Sequence, residues 1–288
     1  MTAFRRSVHG LSTIAQGAAT ERPRPGLRMR DNAAMKLATW NVNSLGVRLP
    51  QVLQWLAAAQ PGLLALRETK LEDSRFPAAE LAAAGYHAVY SGQKTYNGVA
   101  LLARTPPQRV QAEVPGLDDP QRRFIAADVD GLRVVNLYVV NGQAVGSEKY
   151  AYKLDWLRAV HAHLQAELAQ PRALVVLGDF NIAPEDRDVH DPEAWREQIL
   201  CSTPERAALR DLLALGLDDS FRVFEPEGGH YSWWDYRQGA FRRNMGLRID
   251  LILSSHALRP RLRAARIDRT PRTWERPSDH APVLLELT

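Results

Sequence analysis

Short apolar runs alternate with longer segments of helical spacing along the chain from Met35 onward. Runs of about four to eight apolar residues bounded by polar or turn residues are typical of buried strands. The runs that predict strands are KLATWNVN (36–43), LLAL (63–66), YHAVYSG (86–92), GVALLAR (98–104), RFIAADVDGLRVVNLYVV (123–140), ALVVLGDFN (173–181), HYSWWDY (230–236), LRIDLILSS (247–255) and DHAPVLLELT (279–288). Asp130-Gly131 lies between two alternating runs and predicts a β-hairpin.

Helical spacing separates these strands. Helices are predicted over 48–62, 76–85 and 148–170 and, as two segments, within 192–215. The longest of them, 148–170, has an apolar stripe at steps of three and four, formed by Leu154, Leu157, Val160, Leu164 and Leu168. Strands mixed with helices around a hairpin-rich middle predict an α/β fold of two packed mixed β-sheets with helices outside.

The chain divides at about residue 34. Residues 1–34 lack a sustained period, contain RPRPG, and are predicted to be a disordered basic extension. No linker-like stretch and no repeat at a fixed period follow, so 35–288 is predicted to be one domain. A domain of this length buries a core without disulfides.

Net charge is concentrated in the extension. The formal net charge is +4, and residues 1–34 hold six arginines against two acidic residues, which leaves 35–288 about neutral. The global charge is therefore weak evidence for nucleic-acid binding, and a binding face must come from local clusters. An organelle transit peptide stays open for this arginine-rich segment, although it shows no clear amphipathic helix.

Cysteine content and hydropathy exclude several classes of protein. Cys201 is the single cysteine, so neither a disulfide framework nor a cysteine metal cluster can form. This suits a reducing compartment, and we expect a cytoplasmic protein. No stretch approaches the roughly 18–20 consecutive apolar residues of a membrane span, so we expect no membrane partner.

Polar residues close or interrupt five of the apolar runs. Taken alone, a strand-end Asp or Asn is usually a turn former. Side chains at strand ends of an α/β fold can also converge on one rim, and five such sites argue against coincidence. The sites are Asn41 and Asn43 after LATW, Glu68 after LLAL, Asp179 and Asn181 after LVVLG, Asp250 inside RIDLIL, and Asp279-His280 before APVLLEL.

These residue types suit phosphodiester hydrolysis. Oxygen ligands favour Mg²⁺ or Mn²⁺, and few are needed because Mg²⁺ keeps several of its waters. An Asp can take a proton from an attacking water or orient it. A His paired with an Asp can hold one tautomer or stay protonated against phosphate charge. Asn side chains orient water or a phosphate oxygen without adding negative charge.

Eight motifs occur in one order along residues 35–288, namely WNVNSLGVR, RETK, GVALL, LYVVNG, GDFNIAP, YSWWDYR, GLRIDLIL and SDHAPV. In this order they resemble the motifs of the exonuclease III family of abasic-site endonucleases, within the DNase I-like endonuclease/exonuclease/phosphatase superfamily. GDFN alone is moderately specific and SDH alone is weak, so the ordered set carries the resemblance. It implies a four-layer α/β sandwich with the active site at one rim.

The resemblance implies metal ligands and a water-activating group. Glu68 matches the family's metal-binding Glu, with Asn41 and Asp279 near the same metal. Asp179 matches the Asp that activates or positions water, and Asn181 would orient that Asp or the water. Asp179 and Asn181 also match a second metal position.

The resemblance also implies phosphate contacts. Asp250 and His280 match an Asp–His pair that contacts the scissile phosphate. Tyr138 in LYVVNG matches a Tyr that hydrogen-bonds phosphate.

DNA and abasic-pocket residues can be placed in the same way. A flipped-out abasic sugar needs a small pocket that excludes a base. Trp233, Leu247 and Ile249 match apolar pocket positions, although strand burial accounts equally well for Ile249. Trp234 would point to the opposite face. Residues expected to face the DNA are Asn43, Lys94, Tyr96, Asn97, Arg237, Arg242, Arg243 and Asn244.

The expected protein is a Mg²⁺-dependent DNA-repair nuclease, with Mn²⁺ as an alternative metal. It would act as a monomer on double-stranded DNA and cut 5′ to abasic sites, leaving a 3′-hydroxyl and a 5′-deoxyribose phosphate. The resemblance also implies 3′→5′ exonuclease and 3′-end-trimming activity. Two alternatives stay open, a superfamily phosphodiesterase or phosphatase for small phosphate esters and a catalytically weak DNA-binding relative.

Arg67 departs from the family, which usually has Gln before the metal-binding Glu. If the strand pleat persists, Arg67 points away from Glu68 and pairs with another carboxylate or a carbonyl, which leaves the site unaffected. We expect this arrangement and, with it, a modest effect of Arg67→Gln on activity. If the strand has already turned, the guanidinium would approach the cluster, lower carboxylate pKa values and compete with Mg²⁺.

Overall fold

The computed structural model describes residues 34–288. Its strands are β1 (Met35–Asn41), β2 (Leu63–Arg67), β3 (His87–Ser91), β4 (Val99–Ala103), β5 (Gln108–Gln111), β6 (Phe124–Val129), β7 (Leu132–Tyr138), β8 (Ala173–Asp179), β9 (Leu217–Asp219), β10 (Asp250–Ser255), β11 (Leu262–Ile267) and β12 (Val283–Leu287). Its α-helices are α1 (Leu45–Ala59), α2 (Ala78–Ala83), α3 (Glu148–Leu168), α4 (Pro192–Trp195), α5 (Thr203–Ala214) and α6 (Ser220–Phe224). The predicted extension lies outside the described residues except for Ala34.

Two mixed sheets form the centre of the fold. The first sheet has the strand order β11-β12-β1-β2-β4-β3, and the second has the order β5-β6-β7-β8-β10-β9. Within them β1 and β2 run parallel, as do β7 and β8, and the other pairs are antiparallel. The carboxyl ends of β1 and β2 therefore lie at one edge of the first sheet, and those of β7 and β8 at one edge of the second.

The strand pleat divides each sheet between two hydrophobic layers. On β2, Leu63 and Ala65 pack between the sheets, whereas Leu64 and Leu66 pack against α1. On the second sheet the outer face is covered by α3 and α5 through a separate cluster that includes Trp156. This four-layer arrangement confirms the predicted α/β sandwich of two packed mixed sheets flanked by helices.

Helix ends follow capping chemistry. Ser147 caps α3, because its hydroxyl accepts from the backbone N–H of Tyr150 at 3.1 Å. Ser202 and Glu205 form a reciprocal capping box at the start of α5. α1 begins at Leu45, earlier than the predicted start at residue 48. No helix of the described residues is both long enough and apolar enough to cross a bilayer.

Most predicted strands are present, and one prediction is wrong. Asp130 and Gly131 both have positive φ, 48° and 80°, as the predicted hairpin between β6 and β7 requires. HYSWWDY (230–236) is not a strand; there Trp233 makes single bridges to Leu247 and His280, which tie three loops together. Asp250 begins β10 rather than lying inside it. Strands β5, β9 and β11 have no counterpart in the prediction.

Candidate active site

Strand ends bring the predicted site residues to one rim. Tyr138 and Asp179 are the last residues of the parallel pair β7 and β8 and lie opposite each other. Asp250, the first residue of antiparallel β10, also lies opposite Asp179. On the first sheet, Asn41 ends β1 opposite Arg67, which ends β2. The two sheet edges face each other, so these side chains enter one polar cluster.

Glu68 turns into this cluster because the backbone changes direction after β2. Its φ is 50°, which brings its carboxylate to the rim. Oε1 accepts from Asn41 Nδ2 at 2.9 Å and from the Tyr138 hydroxyl at 2.8 Å, and Oε2 lies 2.9 Å from Lys70 Nζ. Burial alone would raise the pKa of Glu68, but Lys70 and the Asn41 amide outweigh it and lower the pKa. Glu68 is therefore ionised at neutral pH.

Asn41 links two carboxylates through its amide nitrogen. Nδ2 donates to Glu68 Oε1 and to Asp179 Oδ2, each at 2.9 Å. Its Oδ1 accepts from the backbone N–H of Asn43 at 3.0 Å, and a backbone N–H can only donate, so the amide orientation is fixed. In this arrangement the Asn41 oxygen faces Asn43 instead of the carboxylates, and its role as a metal ligand stays a prediction.

Asp179, His280 and Asp250 form a buried charged chain. His280 Nε2 lies 3.7 Å from Asp179 Oδ2, and His280 Nδ1 lies 2.7 Å from Asp250 Oδ2. Burial would lower the pKa of His280, but the carboxylates of Asp250 and Asp179 outweigh it and raise the pKa to about 10. Burial raises the pKa of Asp179, and Asp250 adds to this while His280 opposes it. His280 is therefore an imidazolium beside an Asp that binds a proton more readily than usual.

Arg67 extends this chain to a fourth member. Its Nη2 lies 2.9 Å from Asp250 Oδ1. The pleat does persist through Arg67, so it pairs with a carboxylate other than Glu68, as predicted. That carboxylate is Asp250, which also holds His280, so Arg67 contacts the active-site chain through Asp250.

Asn181 fixes Asp179 through its backbone. Its N–H donates to Asp179 Oδ1 at 2.9 Å. Its side chain is used elsewhere, since Nδ2 donates to the Val139 carbonyl at 3.0 Å and Oδ1 accepts from Asn141 Nδ2 at 3.1 Å. The structure therefore does not present Asp179 and Asn181 side-chain oxygens together, as the predicted second metal position requires.

Asp279 lies on the other side of Asn43. Its Oδ1 accepts from Asn43 Nδ2 at 3.0 Å, and its Oδ2 accepts from Trp233 Nε1 at 3.0 Å. Asn43 Oδ1 in turn accepts from Lys70 Nζ at 2.6 Å. Asn43 and Lys70 therefore stand between Asp279 and Glu68, which the prediction placed on one metal.

A hard divalent cation fits the centre of the cluster. Glu68, Asp179 and His280 offer ligand atoms that all lie within 4.8 Å of one another. An imidazolium offers no lone pair, so the available donors are carboxylate oxygens, the ligands that Mg²⁺ and Mn²⁺ prefer. In this structure Lys70 Nζ lies 2.9 Å from Glu68 Oε2, at one side of the same cluster.

Tyr138 keeps its proton at the rim. Burial is the largest cause that raises its pKa well above the usual value, and the charges of Glu68 and Asp179 add to it. The Arg123 guanidinium lies 4.7 Å from the centroid of the Tyr138 ring. Tyr138 is therefore a neutral donor, and in this structure its hydroxyl donates to Glu68.

The predicted pocket residues differ in accessibility. Trp233 is half-buried and packs on the cluster that contains Leu247 and Ile249, which are 0% and 2% exposed. Leu247 and Ile249 therefore pack with Trp233 in one buried cluster, and their role in an abasic pocket stays a prediction. Trp234 points to the opposite side, as predicted, and the centroid of its ring lies 5.0 Å from that of Phe241.

Some of the loop residues predicted to face DNA are bonded to other protein side chains, and others are exposed. Asn97 is buried, and its Nδ2 donates to Gln93 and Gln121, so it joins two loops. Asn244 is half-buried, with Oδ1 3.4 Å from Trp234 Nε1. Arg237 is exposed but pairs with Asp235 at 2.7 Å. The exposed members are Lys94, Tyr96, Arg237, Arg242 and Arg243.

Lys153 is a supporting residue that the sequence prediction missed. It is fully buried on α3, and its Nζ donates to the carbonyls of Asn181 at 2.6 Å and Asn141 at 3.2 Å and to the Glu205 carboxylate. The available signal was its position, because Lys153 precedes Leu157 by four residues and so falls on the apolar stripe of the helix.

Known proteins are similar to this chain in fold and in sequence. The model of the endonuclease/exonuclease/phosphatase family matches residues 38–280. Exodeoxyribonuclease III of Haemophilus influenzae is 35% identical over 265 residues, which cover 88% of this chain and 99% of that protein. A Neisseria structure described as a variant of the 3′ phosphatase NExo bound to product DNA hairpin is 53% identical, with a TM-score of 0.87 over 88% of this chain and 99% of that one.

A third relative comes from an archaeon. An AP endonuclease from Archaeoglobus fulgidus is 38% identical, with a TM-score of 0.85 over 88% of this chain and 99% of that chain. These matches run through the segments that carry the rim residues. The chain belongs to the endonuclease/exonuclease/phosphatase family and, within it, to the exonuclease III group of nucleases.

Proposed function

We propose that this protein is a metal-dependent DNA-repair nuclease that hydrolyses the phosphodiester 5′ to abasic sites and also trims 3′ ends, as an exonuclease and a 3′-phosphatase. The observation that carries the proposal is the convergence of Glu68, Asp179 and His280 at the shared rim. Relatives described as exodeoxyribonuclease III, as a 3′ phosphatase bound to a DNA hairpin and as an AP endonuclease support this range of activities.

Asp179 is the group proposed to receive or direct the proton of the attacking water. Asn181 N–H and Asn41 Nδ2 hold its two oxygens, which fixes the carboxylate in the cluster. Its raised pKa brings it nearer to the working pH, where a general base is most effective.

His280 is proposed to contact the scissile phosphate as a cation. Asp250 holds its Nδ1 and keeps the ring charged, so Nε2–H can donate to a phosphate oxygen where negative charge develops. Tyr138, a neutral donor, is proposed to turn from Glu68 to the same phosphate.

Glu68 would hold the metal, which we propose to be Mg²⁺, with Mn²⁺ as a substitute. When bound, such an ion stabilises charge on the phosphate oxygens. Lys70 would leave Glu68 Oε2 and remain on Asn43, which it already contacts. Asp279, anchored by Asn43 and Trp233, stays a proposed ligand on the same side.

The proposed substrate is double-stranded DNA bound by a monomer in a reducing cytoplasm. Exposed Lys94, Arg242 and Arg243 are proposed to contact the DNA backbone. Burial raises the pKa of the Cys201 thiol to about 12 and leaves it inert.

Matched duplexes with an abasic site, a 3′-phosphate or an intact 3′ end test the proposal, each with and without Mg²⁺ or Mn²⁺. We expect metal-dependent cleavage of the abasic and 3′-phosphate duplexes. Asp179→Asn should lower kcat by about 10²–10⁴-fold, the usual size of a general-base effect. Exposed Asp155→Asn on α3 is the matched control.

Other outcomes would overturn the proposal. Near-parental activity of Asp179→Asn would remove Asp179 from the mechanism. Hydrolysis of a phosphoinositide or a sphingomyelin without DNA cleavage would favour a phosphodiesterase for small phosphate esters. Duplex binding without cleavage under any metal would favour a catalytically weak relative.

A further inference from the structure

Arg67 lies between the two sheets, beneath the active-site rim. It is the last residue of β2, and its side chain shares the inter-sheet face with Leu63 and Ala65. The side chain is 0% exposed. A guanidinium in this position must be compensated, because an unpaired buried charge is strongly destabilising.

The Arg67 charge is compensated by one carboxylate of the second sheet, and its guanidinium also donates to two oxygens of the first sheet. Nη2 forms the ion pair with Asp250 Oδ1 at 2.9 Å, and both side chains are fully buried. Nη1 donates to Thr39 Oγ1 and, at 3.3 Å, to the Ala65 carbonyl. Arg67 is thus fixed to the first sheet and reaches across to the second through Asp250.

Asp250 gives one oxygen to each of two cations. Oδ1 takes Arg67 and Oδ2 takes His280 Nδ1 at 2.7 Å. Its backbone is also held, since Ser232 Oγ accepts from the N–H of Asp250 at 3.0 Å. With both oxygens engaged, the carboxylate plane cannot rotate, and that plane sets the direction of the imidazole ring.

We propose that Arg67 is a positioning residue for the proposed hydrolysis, which acts by holding Asp250 so that His280 Nε2 faces the reacting phosphate. The inference rests on the proposed function. Glutamine, the residue usual in the family at this place, is neutral and shorter and would leave Asp250 with His280 as its one cation. Arg67 therefore makes the orientation of His280 depend on a cross-sheet ion pair.

Two substitutions separate the ion pair from its packing. Arg67→Met keeps most of the volume and removes the charge, whereas Arg67→Lys keeps the charge. We expect Arg67→Met to lower kcat on an abasic duplex by about ten- to a hundredfold, the scale of a small misplacement of a catalytic group. KM should change by less than about twofold, since Arg67 is buried and touches no DNA. Arg67→Lys should recover part of kcat.

Arg133→Met is the matched control. Arg133 is also a buried arginine that pairs with carboxylates, those of Glu167 and Asp128, away from the catalytic rim. It should lose stability in urea unfolding without a selective loss of kcat. Equal kcat losses in Arg67→Met and Arg133→Met would show that Arg67 acts only on stability and would overturn the proposal.

A spectroscopic measurement on metal-free protein tests the same proposal without activity. The His280 Nδ1–H proton, bonded to Asp250, gives a ring resonance that can be followed by NMR at neutral pH. We expect it to shift in Arg67→Met, to shift less in Arg67→Lys, and to stay in Arg133→Met. An unchanged resonance in Arg67→Met, or in the neutral Arg67→Gln where Arg67→Met folds too poorly, would overturn the proposal. A parent protein that cleaves no duplex would instead contradict the proposed function and leave the NMR result to decide on Arg67.

Discussion

The buried ammonium of Lys153 lies 2.6 Å from the backbone carbonyl oxygen of Asn181, two residues beyond Asp179. The same ammonium pairs with Glu205, which also accepts from the backbone N–H groups of Leu200 and Ser202 at the start of α5. One charge therefore connects α3, α5 and the loop that follows Asp179.

Lys153→Met should destabilise the protein strongly. It leaves Glu205 buried and without a cation, so we expect the free energy of unfolding to fall by about 3–5 kcal/mol in urea titrations. Lys149→Met, an exposed site on the same helix, should change it by less than about 0.5 kcal/mol. Adding Glu205→Gln to Lys153→Met should restore part of the loss. A single-variant loss below about 1 kcal/mol would contradict the buried pair.

Trp233→Phe should weaken Mg²⁺ binding. Phenylalanine keeps the packing on Leu247 but removes the Nε1–H that fixes Asp279 Oδ2. Loss of such a supporting hydrogen bond typically lowers metal affinity about tenfold or more. Isothermal titration of the DNA-free protein with Mg²⁺ measures this directly. Trp195→Phe, in the same apolar cluster, is the control, and equal affinities of the two variants would separate Trp233 from the metal.

The fold followed from the sequence because alternation along each strand dictates which residues face inward. Ala65 and Arg67 share a pleat face with Leu63, and the polar strand ends had to meet at one rim. The convergence of Glu68 with Asp179 is therefore a consequence of strand order and register.

The roles that the sequence did not show depend on hydrogen-bond partners far apart along the chain. The donor role of Asn41 depends on an N–H two residues later, but the two carboxylates it joins lie 27 and 138 residues away. In the sequence Asn97 has the pattern of an exposed loop residue, but in the structure its amide donates to Gln93 and Gln121. HYSWWDY has an apolar pattern that suits a strand, yet its neighbours offer only single bridges.

Gly178→Ala should disrupt the rim through the backbone. A Cβ at residue 178 would lie 2.1 Å from the carbonyl oxygen of Leu137 on the neighbouring strand β7. Because backbone must move to accept it, we expect a loss of about 3 kcal/mol or more in unfolding free energy and a fall in kcat as Asp179 shifts. Gly46→Ala is the control, for which we expect the free energy of unfolding to rise slightly. There a Cβ meets only Leu71 Cδ2 at 3.6 Å, and alanine favours the helix. Two variants of equal stability would contradict the close approach.

His163 should make stability depend on pH at a distance from the active site. It is buried on α3 with its ring 5.2 Å from that of Phe124, and its Nε2 lies 3.7 Å from Glu167. Burial lowers its pKa; Glu167 opposes this, and the charges of Arg133 and Arg172 reinforce it. The folded protein therefore holds His163 neutral at pH values where the unfolded chain, with a His pKa of about 6.5, already binds a proton.

The sign of the effect follows from this proton. As pH falls below about 6.5, the unfolded state gains it and the folded state does not, so the contribution of His163 to stability is lost by at most about 1.4 kcal/mol per pH unit. His163→Gln should remove this slope. Urea unfolding at pH 7.5, 6.5 and 5.5 gives the free energy of unfolding of the variant and the parent. The difference between the two isolates the contribution of His163, because the opposite contribution of His280 is present in both. Exposed His87→Gln should retain the parental slope, and a His163→Gln curve parallel to the parent would show that burial does not keep this ring neutral.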